Sequence, residues 1–112
     1  MRPVTSEDGP HIVAALRRLV AKSTTPLAIP VDFEVGLGFI QDRIDNDEAF
    51  IVGDFLVVFS LSRLWFTTGT YLMEELVLRI YPKTTDSGST ALDIPHALIN
   101  RATELKCAGV FS

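Results

Sequence analysis

The first half of the chain carries two runs of apolar residues at helical spacing. Steps of three and four positions place such residues on one face of a helix, so each run predicts an amphipathic helix. The first run consists of Ile12, Leu16, Leu19 and Val20. The second run consists of Phe33, Leu37, Ile40 and Ile44. We predict the second helix from Asp32 to about Asn46, after a Ser-, Thr- and Pro-rich loop at 22–30.

Two starts for the first helix are compatible with the residues before Ile12. Thr5-Ser6-Glu7-Asp8 has the form of a capping box, with Thr5 at the N-cap and Asp8 three positions later. Pro10 fits poorly inside the first turn of that helix. Alternatively, Pro10 is the first helical residue and Gly9 is the cap. Residues 1–4 are predicted to form a short extended segment.

From Ala49 onward, β-branched and aromatic residues replace the helical pattern. We predict strands at 49–52, 55–66 and 71–81, because turn-forming residues separate these segments. Gly53-Asp54 has the composition of a two-residue hairpin turn, and residues 67–70 form the next predicted turn. Consecutive strands joined by tight turns form an antiparallel meander.

A polar loop at 83–90 precedes a last predicted helix, with Lys106 in its final turn and Gly109 as its stop. Its start is open: a start near Thr90 places Pro95 inside the helix, whereas Asp93 as N-cap leaves Pro95 in the first turn. Residues 110–112 form a short final strand. The predicted order is β-α-α-β-β-β-α-β. This is an α/β domain of the α+β type, with a mixed, mostly antiparallel sheet flanked by helices, in one domain over residues 1–112.

Composition narrows the function classes. Apolar residues make up 47% and charged residues 21%, as in an ordinary globular protein. The net charge of −4 argues against binding nucleic acid through phosphate neutralisation. Cys107 is the single cysteine, which excludes an intrachain disulfide and a cysteine-based zinc cluster. Apolar runs are too short to cross a bilayer and the first residues lack a signal-peptide core, so we expect a cytoplasmic protein without membrane contact.

The order and lengths of the elements resemble the GNAT superfamily of acyl-CoA-dependent N-acyltransferases. The segment Arg2-Pro3-Val4-Thr5-Ser6-Glu7-Asp8 looks like the first strand and first helix cap of many members. Leu78-Arg79-Ile80-Tyr81-Pro82 looks like the end of the family's fourth strand. In that family the fourth strand carries a bulge and its backbone binds pantetheine. The next helix begins at a Gly-rich turn that holds the pyrophosphate.

The resemblance implies a site for acetyl-CoA. The backbone of Leu78, Arg79 and Ile80 would line pantetheine, and Ser87, Gly88, Ser89 and Thr90 would face the pyrophosphate. Glu75, at a place where several members hold a catalytic glutamate, would be the general base. Three anchor positions of the family's turn hold Thr85, Gly88 and Thr90 here, and only Gly88 agrees, so the usual cationic or amide anchor is missing.

Two functions follow from the resemblance. The first is an N-acyltransferase that moves an acetyl or similar acyl group from acyl-CoA to an amine. The alternative is a catalytically inactive GNAT-like binding or assembly module. Full members continue past the fifth strand, whereas this chain stops at Ser112, so a second subunit completes the site or no amine site exists. A homo-oligomer or protein partner is therefore expected, through residues 110–112 or Trp65-Phe66.

Further residues whose side chains could take part in catalysis are assigned structural roles. Glu74 is predicted to face away from Glu75, because side chains alternate along a strand. Tyr71 and Tyr81 are predicted to pack with their hydroxyl groups in water. His11 and His96 lie near helix starts and are expected to have surface or capping roles.

Overall fold

The computed structural model of the protein describes residues 2–22, 32–63, 68–82 and 90–111. The elements are β1 (Arg2–Pro3), a 3₁₀ turn (Ser6–Asp8), α1 (Gly9–Lys22), α2 (Phe33–Asp45), β2 (Ala49–Val52), β3 (Phe55–Arg63), β4 (Thr70–Arg79), α3 (Thr90–Glu104) and β5 (Gly109–Phe111). The predicted order of strands and helices is confirmed. Residues 23–30 of the predicted first loop, the predicted strand end at Trp65-Phe66, and Ser112 lie outside the described residues.

The five strands form one sheet in the order β1-β2-β3-β4-β5. Neighbours are antiparallel except β4 and β5, which are parallel and are joined through α3. The mixed, mostly antiparallel sheet is as predicted. The β2–β3 hairpin closes with Val52 opposite Phe55, and Gly53 takes a φ of 55°. This left-handed conformation favours glycine and confirms the predicted two-residue turn.

Helices cover both faces of the sheet. Helices α1 and α2 pack on one face, where the buried residues are Ile12, Ala15, Leu16, Ile40, Ala49, Ile51, Leu56, Val58, Leu78 and Ile80. Helix α3 packs on the other face, where the buried residues are Phe50, Val52, Val57, Phe59, Leu72, Ile94, Ala97, Leu98 and Ala102. Strands β2 and β3 supply both sets alternately, which explains why their sequences read as continuous apolar runs.

The capping box at the start of the first helix is present, and the alternative cap at Gly9 is wrong. Thr5 is the N-cap and Asp8 is its third-position partner, so the 3₁₀ turn leads directly into α1. Gly9 has helical dihedral angles and is the first residue of α1. Pro10 is tolerated because the first amide groups of a helix have no partner within it.

Helix α3 takes one of its two predicted starts and ends earlier than predicted. It begins at Thr90, so Asp93 lies in its first turn and Pro95 lies inside the helix, where its ring nitrogen cannot donate to the preceding turn. The helix ends at Glu104, and Lys106, with a φ of 58°, takes the left-handed conformation expected of Gly109. Gly109 instead begins β5, where an added Cβ would lie 3.1 Å from the Tyr71 ring.

Candidate functional site

A β-bulge interrupts β4 in its middle. Val58 of β3 lies opposite Leu76, and the next residue, Phe59, lies opposite Glu74. Glu75 is therefore the extra residue, without a Cα partner on β3. Sequence resemblance implied a bulge in this strand but did not give its position.

The side chain of Glu75 is exposed, and its Oε1 accepts a hydrogen bond of 2.6 Å from the hydroxyl of Ser60 on β3. Ser60 follows Phe59, which packs on the α3 face, so Ser60 lies on the α1–α2 face. Glu74 is opposite Phe59 and shares its face. The two carboxylates therefore lie on opposite faces of the sheet, as predicted.

Beyond the bulge, β4 continues past the end of β5. Strand β5 pairs with Tyr71, Leu72 and Met73 only. Within the described ranges, no strand covers residues 74–79 on the side away from β3. We call the backbone of residues 74–79 on this side the β4 edge.

Hydrogen-bond alternation determines which peptide groups face the β4 edge. The N–H of Phe59 donates to the carbonyl of Glu48, on the β2 side, at 2.9 Å. Peptide groups along a strand point alternately to its two neighbours, so the peptide groups of the even-numbered residues Leu56 and Val58 bond to β4. Their partners Leu78 and Leu76 use their peptide groups in this ladder. The intervening Val77 and the terminal Arg79 therefore direct their N–H and C=O groups toward the β4 edge.

Ile80, the third residue expected to line pantetheine, has its amide engaged. Its N–H donates to the carbonyl of Asp54 at 2.9 Å, and its side chain is buried against the α1–α2 core. Of the three residues whose backbone was expected to line pantetheine, Arg79 presents its peptide groups outward, whereas the N–H of Ile80 already donates to Asp54.

A cleft of about 200 Å³ lies between α1 and the end of β4. It is lined by Ala15, Arg18, Leu19, Leu78 and Arg79, and we call it the β4-edge cleft. Two of the predicted site residues, Leu78 and Arg79, are thus brought together. The three residues from α1 were not predicted as site residues. Ala15 lies three positions before Arg18 and four before Leu19, which indicates a single face of that helix.

The two arginines of the β4-edge cleft differ in their contacts. The guanidinium of Arg79 forms an ion pair of 3.3 Å with Asp54 and lies 4.5 Å from the centre of the Phe55 ring. Arg18 is exposed, and no hydrogen bond, ion pair or ring contact holds its guanidinium within the part of the chain that the structure describes. Every other arginine in that part has such a contact.

Of the predicted pyrophosphate-facing residues, Ser87, Gly88 and Ser89 lie outside the described residues. Thr90 is the first residue of α3, so this helix begins directly after the Ser-Gly-Ser segment. A helix start at this position favours an anion near residues 87–90, because the first amide groups of a helix are unpaired donors with partial positive charge.

A second polar cluster surrounds Asp8, which is only 1% exposed. Its carboxylate accepts two hydrogen bonds from Arg2, at 2.9 and 2.8 Å, and bonds from the backbone N–H and hydroxyl of Thr5. The hydroxyl of Tyr81 also donates to it, so the predicted solvent position of that hydroxyl is wrong. The ring of exposed His11 lies 4.4 Å from that of Tyr81.

This cluster shifts the pKa values of its members in opposite directions. Hydrogen bonds from Arg2 are the main reason why the pKa of Asp8 lies well below its ordinary value. The hydrogen bond to Asp8 raises the pKa of Tyr81, so this tyrosine is a poorer proton donor than a free one. The sequence signalled the capping role of Asp8 but not its contact with Tyr81. We assign the cluster to holding β1 and the first turn against the end of β4.

Two larger cavities contain none of the predicted site residues. One, of about 370 Å³, lies between the start of α1 and α2, and the other, of about 470 Å³, lies between α3 and β5. Across residues 2–22, 32–63, 68–82 and 90–111, no cluster of His, Cys, Asp and Glu side chains could hold a metal ion. No helix in the same ranges is long and apolar enough to cross a bilayer.

Comparison with protein-family models, with curated proteins and with solved structures finds no match to this chain. The features of this chain that bear on its function are therefore the bulge, the β4 edge and the β4-edge cleft.

Proposed function

We propose that this chain has a short GNAT-like fold, binds an acyl-CoA along the β4 edge and transfers its acetyl or similar acyl group to an amine. The observation that carries the proposal is the outward orientation of the Val77 and Arg79 peptide groups. Pantetheine is an extended chain with two amides, so it can hydrogen-bond to a strand edge as another strand would. The β4-edge cleft is smaller than a typical cofactor site, which suits it to one segment of such a ligand.

The β4 edge also gives the ligand a direction. At its start lie the two carboxylates of Glu74 and Glu75, and at its end lie Arg18 and Arg79. Residues 75 and 79 are about 13 Å apart along an extended strand. A cationic amine is attracted to the carboxylate end, and an anionic tail is attracted to the arginine end. The thioester would lie near the bulge.

In the proposed reaction, the amine nitrogen attacks the thioester carbonyl and forms a tetrahedral intermediate. Peptide N–H groups next to the bulge stabilise its negative oxygen. Glu75 accepts the ammonium proton directly or through a water molecule, while Ser60 holds its carboxylate. The nitrogen loses its second proton to water, the carbon–sulfur bond breaks, the neutral amide is released, and the CoA thiolate takes a proton from water.

The test is acetyl-CoA binding by calorimetry, followed by acyl transfer to a panel of primary amines. We expect saturable binding and a loss of about 100-fold or more in kcat for Glu75→Gln, with little change in acetyl-CoA affinity. Glu74→Gln is the matched control, because it removes a neighbouring carboxylate from the opposite face. Absence of binding at millimolar acetyl-CoA would exclude the proposed enzyme.

The second proposal is a binding or assembly module without catalysis. The same outward peptide groups on β4 can pair with a strand from another chain. In that case the protein would form a dimer or a complex, detectable by analytical ultracentrifugation, and acetyl-CoA would produce no heat. A monomer at high concentration that binds acetyl-CoA would favour the enzyme.

A further inference from the structure

We propose that Arg18 binds a phosphate group of the acyl-CoA and so replaces the cation that the turn before α3 lacks. The inference rests on the proposed function and adds a binding residue from a different element, α1. It follows from three properties of Arg18: the lack of a partner for its guanidinium among the described residues, its position on the β4-edge cleft, and the charges around that cleft.

The first property is unusual for this protein. Arginines elsewhere in the described ranges contact carboxylates, a carbonyl or an aromatic ring, including neighbouring Arg17, which lies 4.5 Å from the centre of the Phe33 ring. The chain also has an excess of carboxylates, with a net charge of −4. Arg18 nevertheless has no acidic partner within 4.0 Å among those residues, and none of them accepts a hydrogen bond from its five N–H donors.

The second property is position. Arg18 lines the β4-edge cleft together with Leu78 and Arg79, where the peptide groups of Arg79 face outward. A ligand that hydrogen-bonds to the β4 edge at this point passes beside α1. The long side chain of an arginine can follow such a ligand while its head group stays in solvent.

The third property is the charge pattern, which selects phosphate over other ligand groups. Arg79 already pairs with Asp54, whereas Arg18 has no carboxylate partner in the described part of the chain. Strand β4 ends at Arg79 and helix α3 begins at Thr90. Because α3 connects the parallel strands β4 and β5, it starts at the end of the sheet where β4 ends, and its first amide groups add positive potential there. The carboxylates of Glu74 and Glu75 lie toward the other end. An anionic group therefore belongs at the Arg18 end, and guanidinium is well suited to phosphate oxygens.

The experiment compares two ligands and two variants of the full chain. Acetyl-CoA carries the phosphates, and acetyl-pantetheine has the same thioester and amides without them. We expect Arg18→Gln to weaken acetyl-CoA binding about tenfold, as for a hydrogen bond to a charged group, and to leave acetyl-pantetheine unchanged. Arg17→Gln, which removes the adjacent charge, is the control and should change neither affinity. Added salt should weaken acetyl-CoA binding to wild type more than binding to Arg18→Gln.

The outcomes separate this inference from the proposed function. If wild type binds acetyl-CoA and Arg18→Gln binds it equally well, the inference is overturned while the acyl-CoA site stands. If wild type binds no acetyl-CoA, titration with inorganic pyrophosphate decides: binding lost in Arg18→Gln supports an anion site without acyl transfer, and no binding overturns the inference as well. Equal weakening of acetyl-pantetheine and acetyl-CoA would also overturn it, because the effect would not involve phosphate.

Discussion

Asp8 is a buried charge, and its hydrogen bonds compensate the cost of removing it from water. The carboxylate accepts hydrogen bonds from the two terminal nitrogens of the Arg2 guanidinium, the Thr5 backbone N–H and the Tyr81 hydroxyl. It therefore links the start of the chain to the end of β4, across 73 positions of sequence. Local sequence revealed the contact with Thr5, which is three positions away. The contact with Tyr81 is set by tertiary packing and has no signature in the sequence.

We predict that Asp8→Asn lowers the free energy of unfolding by about 2–4 kcal/mol at pH 7, because an amide removes the charge and turns a donor toward other donors. The pKa of Asp8 is lowered in the folded state, so its stabilising effect is complete above its ordinary pKa of 3.8 and decreases as pH falls below that value. The difference between wild type and variant should thus shrink at pH 3. Urea unfolding at both pH values measures it.

Glu7→Gln is the control for this prediction, since Glu7 is the exposed neighbour of Asp8. It should change the free energy of unfolding by no more than about 0.5 kcal/mol. A loss in Asp8→Asn that is equally large at pH 3 and pH 7 would contradict an ionised Asp8 as the source of the stabilisation.

The elements were predictable where local chemistry dominates. Helical spacing identified all three helices, and Gly53-Asp54 identified the β2–β3 turn. The start of α3 was left open because Asp93 is a good N-cap and Pro95 a poor interior residue. In the folded protein α3 begins at Thr90 despite the proline, and Ile94, Leu98 and Ala102 bury one face of the helix against the sheet.

Two glycine substitutions should have opposite effects on stability. Gly53→Ala places a Cβ at a φ of 55° and should destabilise the protein by about 1–2 kcal/mol. Gly38→Ala lies in α2, where nothing lies within 4 Å of an added Cβ, and should stabilise it by about 0.5–1 kcal/mol. Thermal and urea unfolding of both variants would measure the sign. A stabilising Gly53→Ala would contradict the left-handed turn.

At the scale of the whole molecule, one sheet separates two cores. Ile40 is buried on the α1–α2 face and Leu98 on the α3 face, each about 1% exposed. They share no contact cluster, yet both depend on the same strands. The sheet therefore couples the cores in one cooperative unit, while it keeps their side chains too far apart to interact directly.

We predict that Ile40→Val costs about 0.5–1.5 kcal/mol, that Leu98→Ala costs about 2–4 kcal/mol, and that the double variant loses the sum within about 0.5 kcal/mol. Tryptophan fluorescence and circular dichroism should report the same urea transition for all three variants. Separate transitions by the two probes would contradict a single cooperative unit. A large coupling energy would show that they communicate through the sheet.

Only some residues of the candidate site were predictable from the sequence. The sequence and its resemblance pointed to Glu75, Leu78 and Arg79, and the last two do line one cleft. Arg18 was not predicted, because the helical pattern placed it off the apolar stripe without indicating what faces that side of α1. Which peptide groups of β4 face outward also depends on the register with β3, and a single sequence does not contain that register.

The extra residue in β4 changes which side chains of the strand lie on the same face of the sheet. Leu72 and Val77 are an odd number of positions apart, yet both pack on the α3 side. The bulge at Glu75 makes this possible, because the extra residue shifts the alternation of side chains between the two faces by one position. Without Glu75 the two residues would be four positions apart, and a regular strand would place both on the α3 side without a bulge. The bulge at Glu75 therefore separates the part of β4 that pairs with β5 from the β4 edge, and it lets side chains in both parts pack on the same side of the sheet.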